Sequence, residues 1–176
     1  MRKMRFKTYI EGLEEEVHMF CDMDGVLTNW ELHFQNYHGK SRDDMTKKEG
    51  YAASKKLPVE WWATMPWMPD GKELWSYLSE HFESLRILSA PTQDVEEKAI
   101  KGKWAWLTEQ GFVDQLGKEN IIIDAEKHKY VMDSGMSILV DDNEKKIANW
   151  RKAGGVGILH TSASNSIKEL NKHLHI

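Results

Sequence analysis

Four aspartates in two close pairs, Asp22 with Asp24 and Asp141 with Asp142, are the residues of this sequence best placed to do chemistry. The first pair follows the short apolar run Val17-His-Met-Phe-Cys21, and the second follows Ser137-Ile-Leu-Val140. Carboxylates gathered at one rim repel each other. Such a group persists where a divalent cation neutralises it or where a proton is shared. All-oxygen ligands with no His or Cys cluster favour Mg²⁺ over zinc. Ser89, at the end of another apolar run, offers a hydroxyl, and Lys103, Lys127 or Lys129 offers an ammonium to complete an anion clamp. A metal, hydrogen-bond donors and a nucleophilic carboxylate together suit phosphoryl transfer.

The elements that must position these groups are short. Apolar runs at 17–21, 85–88, 121–123, 137–140 and 156–160 predict buried strands. Helical spacing predicts helices over 72–82, from a cap at Asp94 to Gly111, through 148–152 to Gly154-Gly155, and over 166–174. Residues 1–16 form a polar extension whose conformation the pattern leaves undecided. Strands alternating with helices predict an α/β three-layer sandwich with a parallel, Rossmann-like sheet, in which ligands gather at the carboxyl ends of the strands. Those ends carry Asp22 and Asp24, Ser89, the Lys127 region, and Asp141 and Asp142. Between Trp30 and about Pro66 the strand pattern stops. The division expected is a core of 1–29 and 67–176 with a small helical cap insertion at 30–66. With 176 residues the chain is long enough for a core without disulfides, and its only cysteine, Cys21, reads as an inert buried thiol. The net charge of −4 argues against stable nucleic-acid binding. No run is long enough to span a membrane, and no apolar segment follows the basic start at Met1, so a cytoplasmic protein is expected.

These residues carry a resemblance. Phe20-Cys-Asp22-Met-Asp24-Gly-Val-Leu-Thr28 resembles the first motif of the haloacid dehalogenase superfamily of phosphohydrolases. Leu88-Ser89 resembles the second motif, Lys103 competes with Lys127 or Lys129 for the lysine motif, and Ile138-Leu-Val-Asp141-Asp142-Asn143 resembles the fourth. Within the superfamily the sequence is most similar to 5'(3')-deoxyribonucleotidases, through Asp22-Met-Asp-Gly-Val-Leu27, Trp61-Trp62 before Met68-Pro-Asp-Gly71, Pro91, and Lys103-Trp-Ala-Trp106. The resemblance implies that Asp22 is a nucleophile forming an aspartyl-phosphate and that Asp24 is the general acid and base. It implies Mg²⁺ held by Asp22, the Asp24 carbonyl and Asp142, with or through Asp141. It gives Ser89 and a lysine to the phosphoryl oxygens, and Trp30, Trp61 and Trp62 to the base. The chain departs from the family's pattern in three places: Ser89-Ala90 stands for a Thr-Ser pair, so Ala90 brings no hydroxyl, Gln93 stands for a lysine, and residues are inserted around Lys127 and Lys129.

The expected function is a Mg²⁺-dependent phosphomonoesterase hydrolysing nucleoside monophosphates, with a homodimer left open. Rival readings are a 3'-end nucleic-acid phosphatase, a small-metabolite phosphatase, and a receiver-like module that accepts phosphate without turnover. The tryptophans of the insertion are expected to form a partly exposed aromatic wall, whereas Trp104 and Trp106 read as core. His33 and His38 read as surface or hydrogen-bonded residues, not metal ligands.

Overall fold

The computed structural model describes residues 7–10, 13–92 and 95–175. In its described part the N-terminal extension is strand: β1 (Lys7–Ile10) runs antiparallel to the start of β2 (Leu13–Cys21), with Lys7 opposite Glu16 and Ile10 opposite Leu13. Beyond β2 the chain forms α1 (Trp30–His38), α2 (Lys47–Lys55) and α3 (Val59–Ala63), then α4 (Gly71–His81) and β3 (Leu85–Ser89). It continues with α5 (Glu96–Glu109), α6 (Phe112–Leu116), β4 (Ile121–Ile123), β5 (Met136–Asp141), α7 (Glu144–Lys152), β6 (Val156–Leu159) and α8 (Ala163–Leu174). The cap expected at Asp94 lies outside the described residues. No helix among the described residues is long and apolar enough to cross a membrane.

Five strands are parallel, in the order β4-β3-β2-β5-β6. Counted along the chain from β2, this is the order 3-2-1-4-5, and it reverses between β2 and β5. A receiver module has the order 2-1-3-4-5, so the topology removes that reading. Ligands bind outside the carboxyl edge where the order reverses, and here that point lies between Asp22 and Asp141.

Side chains alternate across the sheet and fix its two covered faces. Met19, Cys21, Ile87, Ile138 and Val140 face one core with Leu74, Leu78, Ala99, Trp106 and Leu170 from α4, α5 and α8. Phe20, Leu88 and Leu139 face the other, with Ile147 and Trp150 of α7. Burial on both faces explains why the strands read as continuous apolar runs.

The insertion leaves and rejoins the core through two backbone bonds, Asn29 N to Pro66 O (2.8 Å) and Met68 N to Leu27 O (2.7 Å). Its helices begin where the sequence can cap them. The Asn29 side chain accepts from Leu32 N, and Thr46 and Glu49 form a reciprocal capping box. Phe34, Leu57, Trp61 and Trp62 join the same apolar core as the sheet, so the insertion has no separate core of its own.

Helix α3 can lie against α5 because Gly102 has no side chain. A Cβ there would stand 2.2 Å from the Trp62 Cβ and 2.6 Å from the Val59 carbonyl oxygen. Alanine is the better helix former by about 0.8–1.0 kcal/mol. Overpacking against backbone costs about 1–3 kcal/mol and decides the sign. Gly102→Ala is therefore expected to lower stability in chemical denaturation; an unchanged or higher midpoint would show that α3 yields freely.

Candidate active site

Strand β2 ends by donating Asp22 N to the Val140 carbonyl (3.0 Å), which sets the Asp22 side chain beside the end of β5. Asp22 Oδ1 accepts from its neighbour's amide, Met23 N (2.7 Å), and from Lys127 Nζ (2.8 Å). Lys127 also donates to Asp141 Oδ2 (2.6 Å), while Asp141 Oδ1 accepts from Asn143 N (2.9 Å). Asp22, Lys127 and Asp141 are all buried. The second Asp22 oxygen, Oδ2, has a charge contact with Lys146 at 3.8 Å.

Lys103 does a different job from Lys127. It reaches from α5 with no exposed surface and donates to Asp24 Oδ2 (2.7 Å), Ser89 Oγ (2.9 Å) and the Ala90 carbonyl (2.7 Å). An ammonium has three hydrogens, and these three acceptors use them all. Lys103 thus ties the loops after β2 and β3 together and leaves the Ser89 hydroxyl proton free to be donated elsewhere. Thr28 Oγ1 donates to the other Asp24 oxygen (3.1 Å).

A cavity of about 280 Å³ is lined by Asp22, Asp24, Trp30, Glu31, Asp142 and Lys146 among others, whereas Ser89, Lys103, Lys127 and Asp141 are buried and are not part of its lining. Asp22, Asp141 and Asp142 each bring a carboxylate oxygen within 4.8 Å of the others, and among the described residues they are the group that could hold a metal ion. Both Asp141 oxygens are already engaged, which leaves Asp22 Oδ2 and Asp142 as the open donors. Gly25, at φ +77°, brings the loop backbone against Asp142, where a Cβ would stand 2.0 Å from Oδ2. Such all-oxygen donors fit a hard divalent cation like Mg²⁺.

The charges explain the protonation of the cluster. Burial pushes the Asp22 carboxyl up, but Lys127, Lys146 and Lys103 outweigh it and hold Asp22 well below the usual carboxylate range. Burial, then repulsion from Asp22, pushes Asp141 up to about 6. Asp142, whose side chain reaches the surface, is pushed up to about 7 by the solvent it loses on its inner side and by the charges of Asp22 and Asp141. For Lys146, burial is outweighed by the surrounding carboxylates, Asp22 first, which hold it above its ordinary value. Burial also pushes the Cys21 thiol well up, which keeps it protonated and inert.

Several expectations need correction. Trp61 and Trp62 are 4% and 0% exposed, so they form no open aromatic wall. Trp62 is wedged on Gly102, and Trp61 sits between Trp30, His33 and Trp62. The insertion is too short to shield its own indoles, so it buries them in the shared core instead. Trp30 alone of the three lines the cavity. Lys129 is exposed and pairs with Glu126, and of the two loop lysines only Lys127 faces the sheet. Lys146, Thr28 and Glu31 were not singled out from the sequence. For Lys146 a signal existed: it stands four residues after Asp142, one helical turn into a helix capped by Asn143.

Protons and a cation compete for Asp142, and Asp141 beside it also holds protons more tightly than an ordinary carboxyl. Their folded-state pKa values lie above that of an unfolded Asp, about 4, so the metal-free folded protein binds more protons than the unfolded chain between that value and about 7. Their contribution to stability is therefore fully present below about pH 4 and lost as pH rises through that window. Asp22 acts oppositely, adding stability above the unfolded value that is lost as pH falls toward its depressed one. In chelator, Asp142→Asn is expected to raise Tm near neutral pH and to gain little at about pH 5. Mg²⁺ affinity by calorimetry should strengthen by up to about tenfold per pH unit for each carboxyl that must lose a proton. A flat profile would remove Asp142 from the cation site.

No protein-family model matches the sequence, and no curated protein matches it either. Solved structures do match. A haloacid dehalogenase-like family hydrolase from Streptococcus pneumoniae superposes with a TM-score of 0.52 at 12% identity, over 86% of this chain and 89% of that one. A hydrolase from Streptococcus pneumoniae TIGR4 matches with a TM-score of 0.48 at 12% identity, over 90% of this chain and 98% of that one. A hydrolase from Pseudomonas syringae gives 0.42 at 15%, over 89% and 90%. The first of these likenesses shows that the parallel sheet and its flanking helices form a haloacid dehalogenase-like fold.

Proposed function

We propose that this chain is a Mg²⁺-dependent phosphomonoesterase that hydrolyses nucleoside monophosphates, with sequence likeness favouring deoxyribonucleoside ones, through an aspartyl-phosphate on Asp22. One observation carries the reading. At the strand-order reversal, the buried Asp22 is held ionised, with Lys127 on its Oδ1, in the lining of a cavity. A carboxylate so placed is a nucleophile aimed at whatever fills the cavity.

Asp22 attacks phosphorus, and the ester oxygen leaves on the opposite side. Asp24 lines the cavity beside it, fixed by Thr28 and Lys103. It protonates the leaving oxygen and then deprotonates the water that hydrolyses the aspartyl-phosphate. Ser89 donates its hydroxyl proton to a phosphoryl oxygen, since its lone pair already accepts from Lys103. Lys127 steadies Asp22 and offsets charge as it develops. Asp22, Asp142 and the Asp24 carbonyl would hold Mg²⁺, which would draw charge from the phosphoryl oxygens.

Trp30 supports the nucleotide part of the reading. It is half-buried and stacked on Phe34 with centroids 4.8 Å apart, which fixes its ring in the cavity wall. A phosphate held at Asp22 projects the rest of the substrate past this indole. A cavity of about 280 Å³ is close in size to small-ligand sites, which span roughly 300–1,000 Å³.

Phosphate release should be followed over ribo- and deoxynucleotides, sugar phosphates, 3'-phosphorylated oligonucleotides and p-nitrophenyl phosphate. Asp22→Asn is expected to lose at least about 10³-fold in turnover with the fold intact. An acyl-phosphate trapped on another residue would refute the assignment. Trp30→Ala is expected to raise KM for nucleotides roughly tenfold, as lost stacking does elsewhere, and to leave p-nitrophenyl phosphate turnover nearly unchanged. A preference for sugar phosphates over every nucleotide would discard the nucleotidase reading and keep the phosphatase one.

A further inference from the structure

Four carboxylates, from Asp22, Asp24, Asp141 and Asp142, meet three ammonium groups, from Lys103, Lys127 and Lys146. Two of the three are committed. Lys103 is buried and spends its hydrogens on three acceptors, and Lys127 is buried and bridges Asp22 to Asp141. Lys146 differs from both. Its side chain is 28% exposed, and its 3.8 Å approach to Asp22 Oδ2 is a contact of charge without a close hydrogen bond. The stem starts from a fixed point, because Asn143 Oδ1 caps the helix at Lys146 N (3.1 Å). Lys146 lines the same cavity as Asp142, and its ammonium faces Asp22 Oδ2, one of the two open donors.

We infer that Lys146 is a tethered counter-ion of the acidic centre, which a divalent cation must displace to reach Asp22 Oδ2 and Asp142. The inference rests on the proposed cation site and takes its consequence from it. Two positive charges a few ångströms apart in a half-buried site repel strongly. A cation between Asp22 and Asp142 therefore drives the Lys146 ammonium away from Asp22. The exposed side of its reach is the cavity, and a phosphate dianion bound there gives it a new partner. Metal and phosphate then each bind more weakly alone than together. This coupling is reciprocal by linkage. Asp22 meanwhile keeps a counter-charge on each oxygen before the metal arrives, Lys127 on Oδ1 and Lys146 on Oδ2.

The test is Mn²⁺ binding to the chelator-stripped full chain, by calorimetry or by electron paramagnetic resonance of free Mn²⁺, with and without inorganic phosphate. Lys146→Met and Lys146→Gln remove the charge and keep much of the stem. Both are expected to bind Mn²⁺ about tenfold more tightly than the unaltered chain when phosphate is absent. The tightening of Mn²⁺ by phosphate should shrink in both. Lys146→Arg keeps the charge and should stay near the unaltered affinity. As a check of folding, the Tm of both neutral variants in chelator should fall, and their gain on adding Mn²⁺ should exceed that of the unaltered chain. Equal or weaker Mn²⁺ binding in the neutral variants overturns the inference, as does tighter binding in Lys146→Arg or no binding in any form. None of these readouts uses phosphate release. Tighter Mn²⁺ binding with no hydrolysis of any ester would sink the phosphomonoesterase reading alone, and active enzyme with unchanged Mn²⁺ affinity would sink this inference alone.

Discussion

The site is built around one buried cation. Lys127 stands between Asp22 and Asp141 at 2.8 and 2.6 Å, with all three side chains nearly sealed from water. Stripping three charges of their solvent costs several kcal/mol per ion before the attraction between them is counted. A well-packed apolar trio would hold the strand ends together at least as well, so stability alone is a weak reason for the arrangement. What the trio does supply is an ionised Asp22 where burial alone would favour the neutral acid. Every other part of the centre follows from that. Asp141 is fixed in position and drawn away from ligand duty, and the remaining open oxygens belong to Asp22 and Asp142.

The sheet explains why these groups can meet. Asp22 and Asp141 end adjacent parallel strands, and the strand order reverses between them. No helix crosses the carboxyl edge at such a point, so space remains for a ligand. Lys127 arrives from the turn after β4 and Lys103 from α5, so both reach inward from neighbouring connections. The division of labour between them is set by hydrogen count. Lys103 has three acceptors within reach and acts as a strut between loops, whereas Lys127 faces carboxylates alone. Either residue is a basic side chain in a plausible place when only the sequence is read, and counting acceptors is what separates them.

Much of the fold was legible because the strands are buried on both faces and therefore read as apolar runs. The runs at 85–88, 121–123 and 137–140 coincide with β3, β4 and β5 to within one residue at each end. The apolar run at 17–21 is shorter than β2, since Leu13–Glu16, which pairs with the edge strand β1, ends in three glutamates and carries no apolar run. The aspartates were legible for the same reason as the strands, because they end them. The tryptophans were not. Whether an indole in the insertion lines a cavity or plugs a core depends on Gly102, which lies 40 residues beyond Trp62 and lets α3 sink onto α5. No local pattern carries that information. Lys146 was missed because its importance comes from helix phase and not from a motif.

The docking of the insertion also bears on how the cavity can work. Its helices share the apolar core of the sheet through Phe34, Leu57, Trp61 and Trp62, and two backbone bonds pin its base. An insertion anchored in this way cannot swing as a lid without exposing buried indoles, and the apolar area of even two tryptophans makes that costly. Trp30 rests on Phe34 and Trp61 and inherits this rigidity. The part of the cavity wall that Trp30 forms is therefore preset in shape, and the adjustable part lies at the partly exposed Lys146. A rigid indole and a movable ammonium in one cavity follow from the same fact: the sequence commits its bulk to the shared core and leaves a long, flexible side chain, held by charge alone, at the acidic rim.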